Sequence, residues 1–193
     1  MGLDFGIRGA LTARFGVAAY NEASYNPQLQ GSLDRFFKPF FHAIATWYEQ
    51  VKIGAVSGEV YARVKEIIGG EEFGVSLNPG HNIGGDEWVN SSFYKGSNLE
   101  LLNGYYLQSD IIAFSQNHEM IGICEDGVIL ANQELREDLK SEYPEVYDRI
   151  TRRRKFMKET LGIDISVDVL PLSNLCGIYF PFMLDTNQIF ALS

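Results

Sequence analysis

The sequence predicts an α+β fold, in which helices are mixed with antiparallel strands. Several segments carry apolar residues at three- and four-residue spacing, the mark of helices with one buried face. Other segments are short apolar stretches separated by Gly, Asn and Ser, which are typical of strands. The two kinds of segment do not alternate regularly, so the pattern disfavours a doubly wound parallel sheet.

The first half of the chain is predicted to form a hairpin and two helices. The first twenty residues are rich in small and apolar types with a turn near Arg8-Gly9, which indicates two short strands. Residues 30–48 carry a wide apolar helix face, and Pro39 either kinks that helix or delays its start. A second helix is expected to have Ser57 as its N-cap and to stop at Gly69-Gly70.

The second half is predicted to return to strands, continue in two charged helices and end in strands. Apolar stretches bounded by turn residues indicate strands at 74–77, 105–114 and 120–124. The charged segment 132–160 fits two surface helices broken at Pro144, the second stopped by Gly162. Alternation and apolar content indicate further strand structure at 163–170 and 178–192.

Composition limits the class of protein. The 193 residues are 46% apolar, so we predict a single domain over 1–193, with 131–193 as a C-terminal helical and strand extension. The net charge of −9 argues against binding to nucleic acid or anionic membranes. No apolar run is long enough to span a membrane and no secretory signal is found, so a cytoplasmic protein is expected. Cys124 and Cys176 lie in apolar sequence and are expected to be buried thiols, with a disulfide left open.

His81 is the strongest candidate for chemistry among the three histidines. It follows Asn78-Pro79-Gly80 and precedes Gly84-Gly85, and glycines on both sides let a ligand or another backbone segment approach closely. Two interpretations stay open: a functional imidazole, or a histidine that only bonds to nearby backbone. His42 is expected to pack on a helix, and His118 to lie in an exposed turn.

Three carboxylates share an unusual context, since Asp4, Asp110 and Glu125 are each embedded in apolar sequence. A buried carboxylate is costly unless it is paired, hydrogen-bonded or bound to a cation. These acids and the His81 imidazole form a donor set that Mn, Zn, Fe and Co accept. The sequence therefore predicts a metal or hydrolytic site where the strands that carry them converge.

The order Asp4, His81, Asp110, Glu125 resembles that of the pita-bread metallopeptidase family, which includes methionine aminopeptidase, Xaa-Pro aminopeptidase, prolidase and creatinase. Four motifs carry the resemblance. Leu3-Asp4-Phe5-Gly6 is similar to the strand with the first aspartate ligand, and Pro79–Gly84 to the histidine motif. Gly104–Asp110 is similar to the strand that ends in a ligand glutamate, and Ile123–Asp126 to the strand that bears the last one.

The resemblance implies both a fold and a set of site residues. The fold is pita-bread α+β, an antiparallel curved sheet covered by helices, here in the C-terminal part of a longer protein and truncated at its N-terminus. Asp4, His81, Asp110 and Glu125 are implied as metal ligands, and His81 as the catalytic residue. Trp88 falls at a substrate-binding position.

Three departures from the family pattern weaken the implied two-metal site. The stretch Thr12–Phe15 lacks the second aspartate, Asp110 replaces a glutamate, and Trp88 replaces a second histidine. Each lost carboxylate removes a metal bond and charge compensation. The resemblance thus implies one divalent metal, which is Mn, Co, Zn or Fe, or no metal at all.

Three functions compete on this basis. The first is a metallopeptidase-like hydrolase of the Xaa-Pro aminopeptidase or dipeptidase type, with a single-metal site. The second is a metal-free, creatinase-like amidinohydrolase with His81 as general acid and base. The third is an inactive pita-bread module that binds a peptide or protein. The expected substrate of the enzymes is a peptide or small amide, and a homodimer is left open.

Overall fold

The computed structural model describes residues 2–5, 12–70, 73–75, 78–84, 89–173 and 180–193. For residues 2–5, 13–15 and 29 it describes the backbone alone. Within these ranges the chain forms helices and a mixed-length antiparallel sheet, which confirms the predicted α+β class.

The sheet is built around one long hairpin. Its strands are β1 (Gly2–Phe5), β2 (Thr12–Phe15), β3 (Phe73–Val75), β4 (His81–Asn82), β5 (Tyr106–Ser115), β6 (Ile121–Leu130) and β7 (Val169–Pro171). β5 and β6 pair along most of their length, β3 and β4 both pair with β5, and β2 and β7 both pair with β6. β1 pairs antiparallel with β2, which confirms the predicted hairpin, while its turn near Arg8-Gly9 lies outside the described residues.

β6 is longer than the sequence predicts. The apolar stretch 120–124 ends at two consecutive acids, yet the strand continues through Glu125 and Asp126 to Leu130. The strand continues because β5 pairs with β6 as far as Ile129, and β7 pairs with Val128–Leu130. Tertiary pairing here outweighs the low strand preference of acidic residues.

Helices surround this hairpin, and α2 packs against one of its faces. Their bounds are α1 (Glu22–Tyr25), α2 (Lys38–Gln50), α3 (Ser57–Ile68), α4 (Gln133–Glu142) and α5 (Pro144–Glu159). A π-helical turn, Leu33–Phe37, leads into α2, and Pro39 lies in the first turn of α2, where its missing N–H costs nothing. Pro39 thus marks a later start of the α-helix, which is one of the two predicted effects; the other is a kink. Pro144 separates α4 from α5, also as predicted.

α2 supplies the core against the sheet. Its buried side chains are Phe40, Phe41, Ala43, Ile44, Ala45, Trp47 and Tyr48. Phe40 packs over Gly122, where an added Cβ would lie 2.7 Å from the Phe40 ring. Leu107, Ile111 and Cys124 complete this side of the sheet, and Cys124 is a buried free thiol as predicted. Cys176 lies outside the described residues. His42, expected to pack, is exposed because it projects from the opposite side of α2.

The start of α3 differs from the prediction. Val56 is the N-cap, and Ser57 is the first helical residue. The Ser57 hydroxyl is buried and contacts Ser97 Oγ at 3.0 Å, and it donates to the Leu99 carbonyl at 2.9 Å. The Ser57 hydroxyl therefore bonds to residues of a distant loop and does not cap the helix. The helix ends at Gly69, as predicted.

The C-terminal segment also differs from the prediction. Of the two predicted terminal strands, only β7 forms in the described residues, and 180–193 contains no strand. Its apolar residues act as separate anchors instead, since Phe182 and Phe190 are buried and Phe190 stacks on Phe41 at 5.3 Å. In the described ranges, no helix is both long and apolar enough to cross a bilayer.

Candidate functional site

Three of the predicted site residues, His81, Asp110 and Glu125, lie on the face of the β5–β6 hairpin opposite to α2. His81 pairs with Gln108, and Asp110 pairs with Glu125 in the register of the sheet. Directly paired residues share a face, and residues two apart on a strand also share it. His81, Gln108, Asp110 and Glu125 therefore form one polar group, which we call the polar cluster. All four are buried, with exposures of 2–9%.

The loop that precedes His81 is fixed against β5. Gly80 donates its N–H to the Asp110 carbonyl at 3.2 Å and adopts a φ of +106°, which favours glycine. A Cβ at this position would lie 2.7 Å from the Gln108 carbonyl oxygen and 3.0 Å from Trp47 Nε1. Glycine therefore allows the backbone to approach β5 closely and brings His81 next to Asp110.

The His81 ring has one nitrogen fixed by the backbone and one directed at Asp110. Nδ1 lies 2.9 Å from the Asn82 carbonyl oxygen, which only accepts hydrogen bonds, so Nδ1 carries the proton. Nε2 lies 3.7 Å from Asp110 Oδ2, and a neutral ring would present its lone pair there. Two acceptors face each other across this distance, so a proton or a cation between them would be stabilised.

Asp110 is perturbed by its burial. Desolvation raises its pKa from 3.8 to about 6, and the neighbouring His81 opposes part of that rise. Asp110 Oδ1 is buried and has no hydrogen-bond partner among the described residues. A carboxylate in this state is prepared to hold a proton near neutral pH or to take a cationic ligand.

Glu125 is held by a neighbouring amide. Gln108 Nε2 donates to Glu125 Oε2 at 3.0 Å, a buried contact across the two central strands. Gln108 is not among the predicted site residues, because a single glutamine in an apolar strand gives little signal by itself. Its position two residues before Asp110 on a strand was the available clue.

The remaining predicted residues are only partly described. The register aligns Asp4 with Ala13, Ala13 with Glu125, and Glu125 with Asp110. Asp4 is thus in the same row of the sheet, and Ala13 is the residue between the two acids. The side chain of Asp4 and all of Trp88 lie outside what the structure describes. Their assigned roles stay predictions.

The donors fit a divalent metal in type but not in number. An imidazole lone pair and a carboxylate oxygen without a partner suit Mn, Co, Zn or Fe. A catalytic zinc site commonly uses three protein ligands. Among the described side chains, no three His, Cys, Asp or Glu residues come together as a metal-binding group.

A second buried acid lies on the opposite face. Asp126 is fully buried, and its Oδ2 accepts a hydrogen bond from the Tyr48 hydroxyl at 3.2 Å. Cys124 Sγ lies 3.9 Å from the same oxygen. These groups face the helices, so Asp126 ties β6 to α2 and is not part of the polar cluster.

Comparisons with known proteins find similarity in structure rather than in sequence. No protein-family profile matches the chain, and no curated protein is significantly similar to it. The dipeptidase PepE from Mycobacterium ulcerans aligns with a TM-score of 0.51 and 17% identity, over 67% of this chain and 34% of that one. The Xaa-Pro dipeptidase from Bacillus anthracis aligns with a TM-score of 0.49 and 22% identity, over 69% of this chain and 36% of that one.

The alignment with PepE decides the architecture. The chain has the α+β pita-bread fold. This confirms the fold that the sequence motifs imply. The chain spans 34–36% of the length of the two aligned structures, and at these identities the likeness concerns the fold alone.

Proposed function

We propose that this chain is a peptidase-like hydrolase of the Xaa-Pro aminopeptidase or dipeptidase type, acting at the polar cluster. The observation that carries the proposal is the His81–Asp110 pair. A buried imidazole presents its Nε2 lone pair to a buried carboxylate that has one oxygen without a partner. The pita-bread fold shared with a structure named a dipeptidase supports the choice of reaction.

Each residue has a defined task in this proposal. The Asp110 carboxylate accepts a proton from the attacking water and returns it to the leaving amine. Its Oδ2 lies 3.7 Å from His81 Nε2, the imidazole nitrogen that remains for a metal ion because Nδ1 faces the Asn82 carbonyl. Gln108 keeps Glu125 in a fixed orientation beside them. The raised pKa of Asp110 lets this pair exchange a proton near neutral pH.

One divalent ion is part of the proposal. His81, Asp110 and Glu125 would hold it, with Asp4 as a further ligand. A bound ion of this kind polarises an amide carbonyl and lowers the pKa of a water molecule. The expected partner is a peptide or small amide, and the chain is expected to act as a monomer or homodimer.

A second candidate is metal-free, amidinohydrolase-like hydrolysis. The observation that favours it is the Gln108–Glu125 hydrogen bond, which gives Glu125 a partner other than a metal. In this case His81 is the general acid and base, and Asp110 orients it. The two candidates differ in whether a chelator abolishes turnover.

The first experiment is metal content by inductively coupled plasma mass spectrometry, on protein purified without chelator. Hydrolysis of alanyl-proline is then assayed with Mn, Co, Zn or EDTA added. The variant is His81→Ala, and the matched control is His42→Ala, because His42 is exposed on α2. Near-stoichiometric metal and turnover that only His81→Ala loses would support the metallopeptidase.

Turnover that resists EDTA but is lost in His81→Ala would support the metal-free enzyme. An inactive protein that holds no metal after soaking would contradict the metallopeptidase proposal. It would leave the choice between creatinase-like hydrolysis of another small amide and a module that binds a peptide or protein.

A further inference from the structure

Tyr106 lies across the backbone of the neighbouring strand next to the polar cluster. A Cβ at Gly127 would lie 2.9 Å from the Tyr106 hydroxyl oxygen and 3.0 Å from its Cε2 atom. The ring therefore occupies the space that any other residue at 127 would fill. Gly127 pairs with Gln108, so the ring extends along β5–β6 from its own row to the row of Gln108.

This placement puts the Tyr106 hydroxyl on the face of the polar cluster. Tyr106, Gln108 and Asp110 alternate along β5 and so share that face. Gly127 is two residues from Glu125 on β6. The hydroxyl thus lies beside the Gln108–Glu125 hydrogen bond, at the edge of the group that carries His81 and Asp110.

The polar cluster is rich in acceptors and poor in donors. Asp110 and Glu125 accept, and His81 presents a lone pair at Nε2 while its Nδ1 is committed to the Asn82 carbonyl. Gln108 Nε2 donates one of its two N–H groups to Glu125. An amide hydrolase needs a donor for the carbonyl oxygen, because that oxygen gains negative charge during attack.

The Tyr106 hydroxyl meets this need. It is half-buried, and within the described part of the chain it forms no hydrogen bond to another residue. Burial raises the pKa of Tyr106 above its usual value of 10.0, so the phenol keeps its proton throughout the neutral range. It is therefore an O–H donor with access to solvent and to a bound ligand.

We infer that the Tyr106 hydroxyl donates a hydrogen bond to the carbonyl oxygen of the bound amide substrate, in a position that Gly127 makes accessible. This inference rests on the proposed hydrolase function. It adds a substrate-contacting residue that lies outside the motifs of the sequence analysis. It also explains why residue 127 is glycine, since a side chain there would displace the Tyr106 ring.

The test compares Tyr106→Phe with Tyr105→Phe, its neighbour, which packs on the core side. For alanyl-proline hydrolysis we expect Tyr106→Phe to lower kcat roughly 100- to 1,000-fold, since one oxyanion donor is lost. KM and the thermal midpoint should change little, and Tyr105→Phe should keep the wild-type kcat. Gly127→Ala should reproduce the loss, because it moves the ring while leaving the hydroxyl present.

Equal kcat in wild type and Tyr106→Phe would overturn the inference and leave the proposed function intact. If the wild type does not hydrolyse the dipeptide, the proposed function fails, and calorimetric binding of alanyl-proline decides the role of Tyr106. At least fivefold weaker binding in Tyr106→Phe, with Tyr105→Phe unchanged, would still support the contact. Equal affinity, or no binding to the wild type, would overturn it.

Discussion

His81 Nε2 and Asp110 Oδ2 lie 3.7 Å apart, both side chains being buried, with the other imidazole nitrogen held by a backbone carbonyl. This distance exceeds the range of about 2.7–3.2 Å in which an N–H donor bonds directly to oxygen. The pair is therefore a site where a proton, a cation or a polar group of a ligand is stabilised. The testable consequences concern the charge of Asp110 and the contacts that hold the surrounding strands.

Asp110→Asn should stabilise the protein at high pH and have little effect at low pH. The folded protein binds a proton at Asp110 more tightly than the unfolded chain does, because its pKa rises from 3.8 to about 6. Its contribution to stability is thus fully present below pH 3.8 and is lost as the pH rises through about 6. The shift corresponds to roughly 3 kcal/mol in the free energy of unfolding at high pH.

Urea unfolding from pH 4 to pH 8, in the presence of a chelator, measures this effect. Asp138→Asn is the control, because Asp138 is an exposed aspartate on α4. A lower free energy of unfolding for Asp110→Asn than for wild type at pH 8 would show that the ionised carboxylate has a stabilising partner. That result would contradict a destabilising effect of the ionised Asp110 carboxylate.

Gln108→Leu should destabilise the protein because it leaves Glu125 without its amide donor. The contact is buried, and removing one partner of a buried hydrogen bond to a charged group costs about 1–3 kcal/mol. Gln116→Leu is the matched control in the exposed turn between β5 and β6. Equal unfolding midpoints for Gln108→Leu and wild type would mean that Glu125 does not depend on this amide.

Tyr48→Phe should weaken the attachment of α2 to the sheet. The variant removes the hydroxyl that donates to the fully buried Asp126 carboxylate. We expect a loss of about 1–3 kcal/mol in the free energy of unfolding, since the acceptor stays buried. Tyr20→Phe is the control, because Tyr20 is 62% exposed. A Tyr48→Phe protein as stable as wild type would show that other contacts satisfy Asp126.

The sequence predicts the helices of this fold well because their apolar faces are wide. Residues 36–48 place an apolar side chain on one side at each turn, and the buried side of α2 follows that pattern. The break at Pro144 follows from the missing N–H of proline, which only the first helical turn tolerates. Both features are local, so no knowledge of the tertiary structure is needed.

The errors come from residues whose roles depend on distant partners. Serine is a common N-cap residue, but the Ser57 hydroxyl instead forms buried hydrogen bonds with Ser97 and Leu99. Residues 178–192 have the apolar content of a strand, yet the described part anchors single side chains in the core. Neither outcome is encoded in the neighbouring sequence.

The sequence also predicts some residues of the polar cluster but not how they are paired. Asp110 and Glu125 are recognisable from the sequence because an acid in an apolar stretch needs a reason to be buried. Their direct pairing across β5 and β6 depends on the strand register, as does the addition of Gln108. Register is set by the whole hairpin, so a pattern within one strand does not determine it.

Gly58→Ala should destabilise the protein although alanine is the better helix former. Gly58 lies in the first turn of α3, where alanine would be favoured by about 1 kcal/mol from helix propensity alone. A Cβ at this position would overlap the Ser97 carbonyl oxygen and would lie 2.9 Å from the Ser97 amide nitrogen. Both are backbone atoms, so relief requires a shift of the loop that also bonds to Ser57. Such overpacking costs about 1–3 kcal/mol, and more where the backbone is rigid.

Gly70→Ala is the matched control, since its Cβ would meet nothing within 4 Å, and its thermal midpoint should stay close to that of wild type. A Gly58→Ala protein at least as stable as Gly70→Ala would mean that the loop at Ser97 moves away from α3 at little cost.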